Sequence, residues 1–214
     1  GTWAVNQGTV VASTDYAVTF TGADYTVNKR PITVVAQAKS KKYGDADPEL
    51  TYTVGGDGLV GTDALSGALA HTSNGHVGTW KIESGSLRAS NDYDLSFNAA
   101  DFEVTPRSLV ITADAKLKKY GNLNPTLTYK VSGDGLISGD SLSGSLDTTS
   151  NGHVGKWSIG QGTLGSSNDY TISTFNSADY VVSPRSLFIT AKNQIKRYGD
   201  QDPAFDYVIS GDGL

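Results

Sequence analysis

Three tryptophans, Trp3, Trp80 and Trp157, stand 77 residues apart, and each sits in a near copy of the same text. The strings read GTWAVNQGTV, GTWKIESGSL and GKWSIGQGTL. Asp-Tyr pairs follow at Tyr16, Tyr93 and Tyr170, then a Lys/Arg-Tyr-Gly triplet at Tyr43, Tyr120 and Tyr198. Each copy next reaches Gly-Asp-Gly-Leu, ending at Leu59, Leu136 and Leu214. A fixed period of this length points to an array of equal modules rather than one large fold. A site that defines the module's work should then recur with the period.

A module of this size lies near the lower limit for a self-sufficient core and buries roughly 60% of its unfolded surface. There is no cysteine, which excludes disulfide staples, Cys-based metal sites and thiol catalysis. Aromatic rings must therefore supply much of the buried area. The net charge is −5, with 18% charged residues and no long run of one sign. Nucleic acid and anionic membrane are accordingly not expected as partners. No apolar stretch approaches the roughly 18 residues of a spanning helix, so direct membrane insertion is not expected either.

Alternation of apolar and polar residues dominates, which is the signature of half-buried strands. Ile32, Val34 and Ala36 alternate with Thr33, Val35 and Gln37, and Leu50, Tyr52 and Val54 with Thr51 and Thr53. Trp80 and Ile82, then Tyr93, Leu95 and Phe97, then Phe102 and Val104 continue the pattern. The next copy repeats it through Leu109, Ile111, Leu127, Tyr129, Trp157, Ile159, Tyr170, Ile172, Tyr180 and Val182. These sets are expected to form one buried face per module. Between them lie Tyr-Gly-Asp, Gly-Asp-Gly, Ser-Asn-Gly-His and Ser-Asn-Asp, where Gly and Asn supply the positive φ of tight turns. The best helix candidate is Thr62–Leu69, but Ser66 and Gly67 at its centre favour a single turn. The expected fold is mostly β with little helix: an elongated tandem array of small β domains of about 77 residues, each β-sandwich or β-grasp-like. A β-grasp module needs a helix across its sheet, and only Thr62–Leu69 could supply one.

One copy is longer. Phe20 and Phe97 are 77 apart and Phe97 and Phe175 are 78 apart, because YTISTF stands against YDLSF. One extra residue in a strand would reverse every later side chain, yet Phe175, Tyr180 and Val182 resume the pattern. A β-bulge or lengthened turn near Ser173–Thr174 is expected.

Pro106 and Pro184 follow strands ending in Val-Thr or Val-Ser, with Lys29 at the matching place, and proline at the end of a ladder reads as a joint. The expected division is 1–28 as the C-terminal part of a preceding repeat, 29–105 and 106–183 as complete repeats, and 184–214 as the N-terminal part of a following one.

Several residues invite a chemical reading. His76 and His153 recur in Asn-Gly-His-Val-Gly, but a zinc or catalytic site needs clustered partners, and His71 is matched by Thr148; a turn is the simpler role. Asp45, Asp47 and Asp57, with Asn122, Asn124, Asp134, Asp200, Asp202 and Asp212, could ligate Ca²⁺, yet the spacing matches no EF-hand or Gly-Asp-rich nonapeptide loop and Asp47, Asn124 and Asp202 each precede proline. Lys41-Lys42, Lys118-Lys119 and Lys196-Arg197 make a recurring basic pair. It suits either an anionic glycan, summed over many copies, or a charged sheet edge that blocks unwanted pairing. The first lysine of each pair is also the only series that could form a recurrent isopeptide bond. The aromatics could be sugar platforms, but period-two placement assigns Trp80, Trp157, Tyr93 and Tyr170 to the core and leaves the tyrosine of Lys-Tyr-Gly as the better surface candidate. No acid pair or nucleophile–base set recurs, so no catalytic, cofactor-binding or metal residues are assigned and no enzyme or cofactor is expected.

The ordered set ITADAKLKKYGNLNPTLTYKVSGDGLISGDSLSGSL, NGHVGKWSIGQGTL, NDYTIS and ADYVVSP resembles the MBG-type (YGX) repeats of very large bacterial secreted adhesins. Some of these are filamentous-haemagglutinin-like. Trp80 and Trp157 replace the Tyr usual after Val-Gly. The resemblance implies a stalk or adhesive segment of a secreted or cell-surface protein that supports adhesion or biofilm formation, and it carries over no catalytic residue. The partners it implies are extracellular glycans or a host surface, besides neighbouring repeats of the same chain. The alternative is that each repeat is a weak module for mucin or exopolysaccharide, acting multivalently.

Overall fold

The computed structural model describes residues 1–213 and divides them into two compact units, one ending at Thr105 and the other beginning at Pro106. In the first unit the strands are β1 (Thr2–Val5), β2 (Ala23–Thr26), β3 (Arg30–Ala36), β4 (Lys39–Lys42), β5 (Tyr52–Gly56), β6 (Ala70–His71), β7 (Gly78–Glu83), β8 (Tyr93–Asn98) and β9 (Ala100–Thr105). In the second they are β10 (Arg107–Ala113), β11 (Lys116–Lys119), β12 (Tyr129–Gly133), β13 (Asp147–Thr148), β14 (Gly155–Gly160), β15 (Tyr170–Asn176), β16 (Ala178–Ser183), β17 (Leu187–Ala191) and β18 (Tyr207–Gly211). No helix occurs among the described residues, so each repeat is all-β.

Each complete repeat is built from two sheets. In the first unit they have the orders β5-β3-β8 and β4-β9-β7-β6; in the second, β12-β10-β15 and β11-β16-β14-β13. Two residues separate β3 from β4, and Ala99 alone separates β8 from β9, although each pair lies in different sheets. Residues 30–42 and 93–105 are thus two bent ribbons that switch sheets together. They run parallel throughout, with Ile32 opposite Leu95 and Val34 opposite Phe97 in one sheet, and Lys39 opposite Phe102 and Lys41 opposite Val104 in the other. Residues 107–119 and 170–183 repeat this in the second unit. A sheet pair that shares bent strands closes around one core with few edges.

The alternating residues fill that core. Ile32, Val34, Ile82, Phe102 and Val104 are essentially inaccessible to water, as are Leu109, Ile111, Ile159, Tyr180 and Val182. Each such aliphatic or aromatic side chain contributes about 1.5–3 kcal/mol of burial. Tyr93 and Tyr170 are also buried. Trp80 lies shallower than its period suggests: it is half-buried and packs against the cluster of Ala36, Ile82, Phe102 and Val104. Trp157 is likewise half-buried.

The helix candidate takes another conformation. Gly67 has φ +85°, outside the helical region, and a Cβ built on it would lie 2.1 Å from the Ser86 carbonyl oxygen. The segment instead lies extended against residues 86–88, with a bridge between Ser66 and Arg88 and a hydrogen bond from Ser86 N–H to Ala68 O at 3.0 Å. Gly144 repeats the geometry at φ +81°, 2.1 Å from Thr163 O. Without that helix the β-grasp alternative loses its defining element, and the two-sheet arrangement remains.

The extra residue is a bulge. Leu109 lies opposite Ile172 but Val110 lies opposite Thr174, so Ser173 is skipped in the ladder. Its hydroxyl donates to Leu109 O at 3.0 Å, as that of Ser96 does to Ile32 O at 3.2 Å.

Candidate functional site

The recurring polar residues assemble at the two ends of each repeat. At the leading end an arginine follows the joint residue, at Arg30, Arg107 and Arg185. Arg30 Nε donates to Gly58 O at 2.9 Å, and its Nη2 to Asp57 O. Arg107 binds Gly135 O at 3.2 Å and Asp134 O at 2.6 Å, and Arg185 Nη2 binds Asp212 O. The guanidinium fork thereby holds carbonyls of the Gly-Asp-Gly turn. The turn's aspartate adds a second tie: Ser108 N–H donates to Asp134 Oδ2, and Ser186 N–H to Asp212 Oδ2, both at 2.9 Å. Pro31 stands at this place in the preceding repeat and has no N–H to give.

A buried tyrosine closes the same end. Tyr93 Oη accepts from Val60 N–H at 2.9 Å and donates to Asp63 Oδ2 at 2.5 Å. Tyr170 does the same with Ile137 N–H and Asp140. The carboxylate of Asp63 holds the Tyr93 phenol above its ordinary pKa, chiefly through that hydrogen bond and secondly through burial.

At the trailing end the lysine of Lys-x-Tyr-Gly folds back on its own turn. Lys41 Nζ donates to Asp45 O at 3.0 Å and lies 2.6 Å from Asp47 Oδ1. Lys118 donates to Asn122 O at 2.9 Å and Asn124 Oδ1 at 2.6 Å, and Lys196 pairs with Asp202. Asp47 also meets His71 Nε2 at 3.2 Å, while His71 Nδ1 accepts from Ser73 N–H, which leaves the hydrogen on Nε2. Its ring stacks on Phe102 with centroids 4.2 Å apart. The bond from Lys41, and then that from His71, hold the Asp47 carboxyl below its usual range. In the second repeat Thr148 replaces His71 and Tyr180 replaces Phe102.

The Ser-Asn-Gly-His segment is a turn beside this one. Asn74 Oδ1 accepts from His76 N–H and Asn151 Oδ1 from His153 N–H, both at 3.0 Å. The His76 ring stacks on Tyr43 at 5.7 Å, and that of His153 on Tyr120 at 5.9 Å. Trp80 and Trp157 each donate from Nε1 to the histidine carbonyl at 3.2 Å. Tyr43 is half-buried against the core, whereas Tyr120 is 44% exposed. The histidines and the first lysine of each basic pair therefore brace turns. Of the side chains considered as calcium ligands, the Asp47 and Asp202 carboxylates and the Asn124 amide oxygen have lysine, histidine or tyrosine donors, and Asp134 and Asp212 have backbone donors.

The second lysine of the pair has a separate place. Within the second unit Lys119 Nζ lies 2.9 Å from Asp212 Oδ2 and 3.0 Å from its Oδ1, joining the trailing end of 106–183 to the Gly-Asp-Gly turn of 184–213. Asp212 is held below the usual carboxylate range by Ser186 N–H first and by Lys119 second. Tyr120, Val154, Pro184, Arg185, Leu187 and Gly213 surround a shallow hollow of about 310 Å³ at the same junction. The arginines, Asp63 and Asp140 went unread in the sequence, yet each recurs with the period, and that was the available signal.

A family model described as MBG domain (YGX type) matches residues 32–103 and again 109–179, together more than half of the chain. No curated protein and no solved structure is similar enough to count as a match.

Proposed function

Since the chain belongs to the MBG domain (YGX type) family, we propose that it is a non-enzymatic stalk region of a large bacterial surface adhesin, holding a distal binding element away from the cell and so supporting adhesion or biofilm formation. One observation carries this reading. The charges that recur with the period are engaged in holding each repeat's own turns, as Lys41, Lys118 and Arg107 are, or in fastening the next piece, as Lys119 is to Asp212. Such a module is built to be repeated. The reading of each repeat as a weak glycan module has less support, because the first lysine and the Trp Nε1 groups that would meet a sugar already have partners.

The test is small-angle scattering on arrays of increasing repeat number. A stalk gains an equal increment of maximum dimension with each repeat, and a collapsed globule whose size follows the cube root of mass sinks the proposal. A glycan panel run on the same arrays decides the alternative, which requires binding that strengthens with repeat number.

A further inference from the structure

The first complete repeat carries two cations that do not recur with the period. Lys29 stands where Pro106 stands one period later, and Arg88 where Gly165 stands. Although far apart in the chain, both line one surface hollow of about 330 Å³. All of its lining residues fall within 29–95, inside the complete repeat.

The hollow is built on the turn after β7. Leu87 N–H donates to Ser84 O at 2.9 Å and closes that turn, and the Leu87 side chain is 3% exposed. With buried Tyr93 and half-buried Leu95 it gives the hollow an apolar floor. Arg88 stands at the rim, its main chain fixed by paired bonds with Ser66 at 2.8 and 2.9 Å. Its Nη1 donates to Leu87 O at 2.7 Å and to Gly85 O at 3.3 Å, which holds the guanidinium in one orientation. The remaining edge, Nε and Nη2, has no hydrogen-bond partner among the described residues. Neither have the Lys29 ammonium, the Ser84 hydroxyl and the Asn91 side-chain amide, which share the rim. No carboxylate lines the hollow.

We propose that this hollow binds a hexuronate, a pyranose ring carrying one carboxylate. The free Nε–Nη2 edge of Arg88 matches a carboxylate with two parallel N–H donors, and Lys29 adds a second positive charge. The volume lies at the lower end of the range for ligand sites, about 300–1,000 Å³, and suits a single ring. An inorganic anion would leave the Leu87–Leu95 floor uncovered. A purely apolar acid would leave the Ser84 hydroxyl and Asn91 amide facing no polar group. A sugar acid meets both demands, with its C–H face on the leucines and its hydroxyls on the rim. The hollow is shallow, so the complex is weak and exchanges fast. In the second repeat Pro106, Gln161, Gly165 and Ile172 replace Lys29, Ser84, Arg88 and Leu95, and no cation stands at the two matching places. The site therefore belongs to one repeat and not to the module. It is independent of the stalk reading, and it differs from the glycan alternative above, which needs a site in every repeat.

The test is a titration of the whole, isotopically labelled chain with sodium glucuronate at fixed ionic strength, followed by amide chemical shifts. Saturable shifts should appear within residues 84–95 and be absent from 161–172, the built-in control. Arg88→Gly and Lys29→Pro install the second repeat's own residues, which the same fold accommodates, and unchanged shifts elsewhere would verify that. Arg88→Gly should weaken binding by roughly tenfold or more, since it removes the charge-assisted pair. Glucose at the same concentrations should give no saturable shifts, and sulfate should bind more weakly than glucuronate. Absent saturation with glucuronate, an equal response in 161–172, or undiminished affinity in Arg88→Gly would overturn the proposal. So would sulfate binding as tightly as glucuronate, which would reduce the hollow to a bare anion spot.

Discussion

Tyr180 donates its phenol hydrogen to Asn124 Oδ1 at 3.1 Å, and these two residues occupy the places that Phe102 and Asp47 hold one repeat earlier. In the earlier repeat the imidazole of His71 supplies the hydrogen bond, lying over Phe102; in the later one the phenol itself reaches the acceptor and Thr148 stands in for the imidazole. Both solutions give a second donor to a side chain already held by a lysine, and both brace the same pre-proline turn.

The first solution is acid-sensitive and the second is not. Asp47 titrates below its unfolded value, so the stability it contributes is present above the ordinary aspartate range and is lost as pH falls through its depressed pKa. Asp47 is half exposed, which keeps the effect small. Asp47→Asn should flatten the acid limb of the denaturation midpoint of residues 29–105. An unchanged acid limb would contradict this.

Tyr93→Phe removes the acceptor of Val60 N–H and the donor to Asp63 together. Val60 and Asp63 are exposed and can turn to water, so the loss is that of ordinary hydrogen bonds, about 0.5–1.5 kcal/mol each, readable as a fall in urea midpoint with unchanged slope. The phenol should also ionise above its ordinary 10.0, visible by ultraviolet titration as the transition missing from the variant. Its folded pKa is raised, so its contribution is complete below the unfolded value and disappears as pH rises through the folded one.

Gly144→Ala and Gly152→Ala separate backbone strain from collision. Both glycines have positive φ, at +81° and +87°, but a Cβ on Gly152 meets nothing within 4 Å, while one on Gly144 lies 2.1 Å from Thr163 O. Gly152→Ala should cost about 1–2 kcal/mol from the left-handed conformation alone. Gly144→Ala should cost clearly more in the same denaturant titration, and equal losses would show that the segment shifts freely.

Lys119→Ala tests the joint within the second unit. The pair with Asp212 is partly exposed, so global stability should change by less than about 1 kcal/mol. Hydrogen exchange at Ser186 and Asp212 should accelerate nonetheless, and added salt should mimic the variant. A loss of several kcal/mol would mean that the pair supports the core.

The strands were legible because the apolar period is two, and the bulge because one inserted residue left that period intact on both sides. Leu87 and Leu164, nearly fully buried, announced themselves only through the recurring Gly-x-Leu. The parallel union of 30–42 with 93–105 was not legible, because alternation says which side of a strand is buried and nothing about which distant strand lies beside it. The helix candidate failed for a local reason, since Gly67 was read as a weak point in a helix when it is a position that only glycine fits. The lysines misled in another way: a pair of like charges looks like one patch, yet Lys118 turns inward to Asn124 while Lys119 reaches out to Asp212.

The parallel ribbons also decide how a repeat answers to traction. Pulling on Arg30 and Thr105 draws the two ribbons along their own lengths in opposite senses, so the hydrogen bonds between them are sheared in concert and cannot be unzipped one after another. A chain of such repeats meets drag or a tethered load with the whole ladder of each module, and gives way only when that ladder fails as a unit.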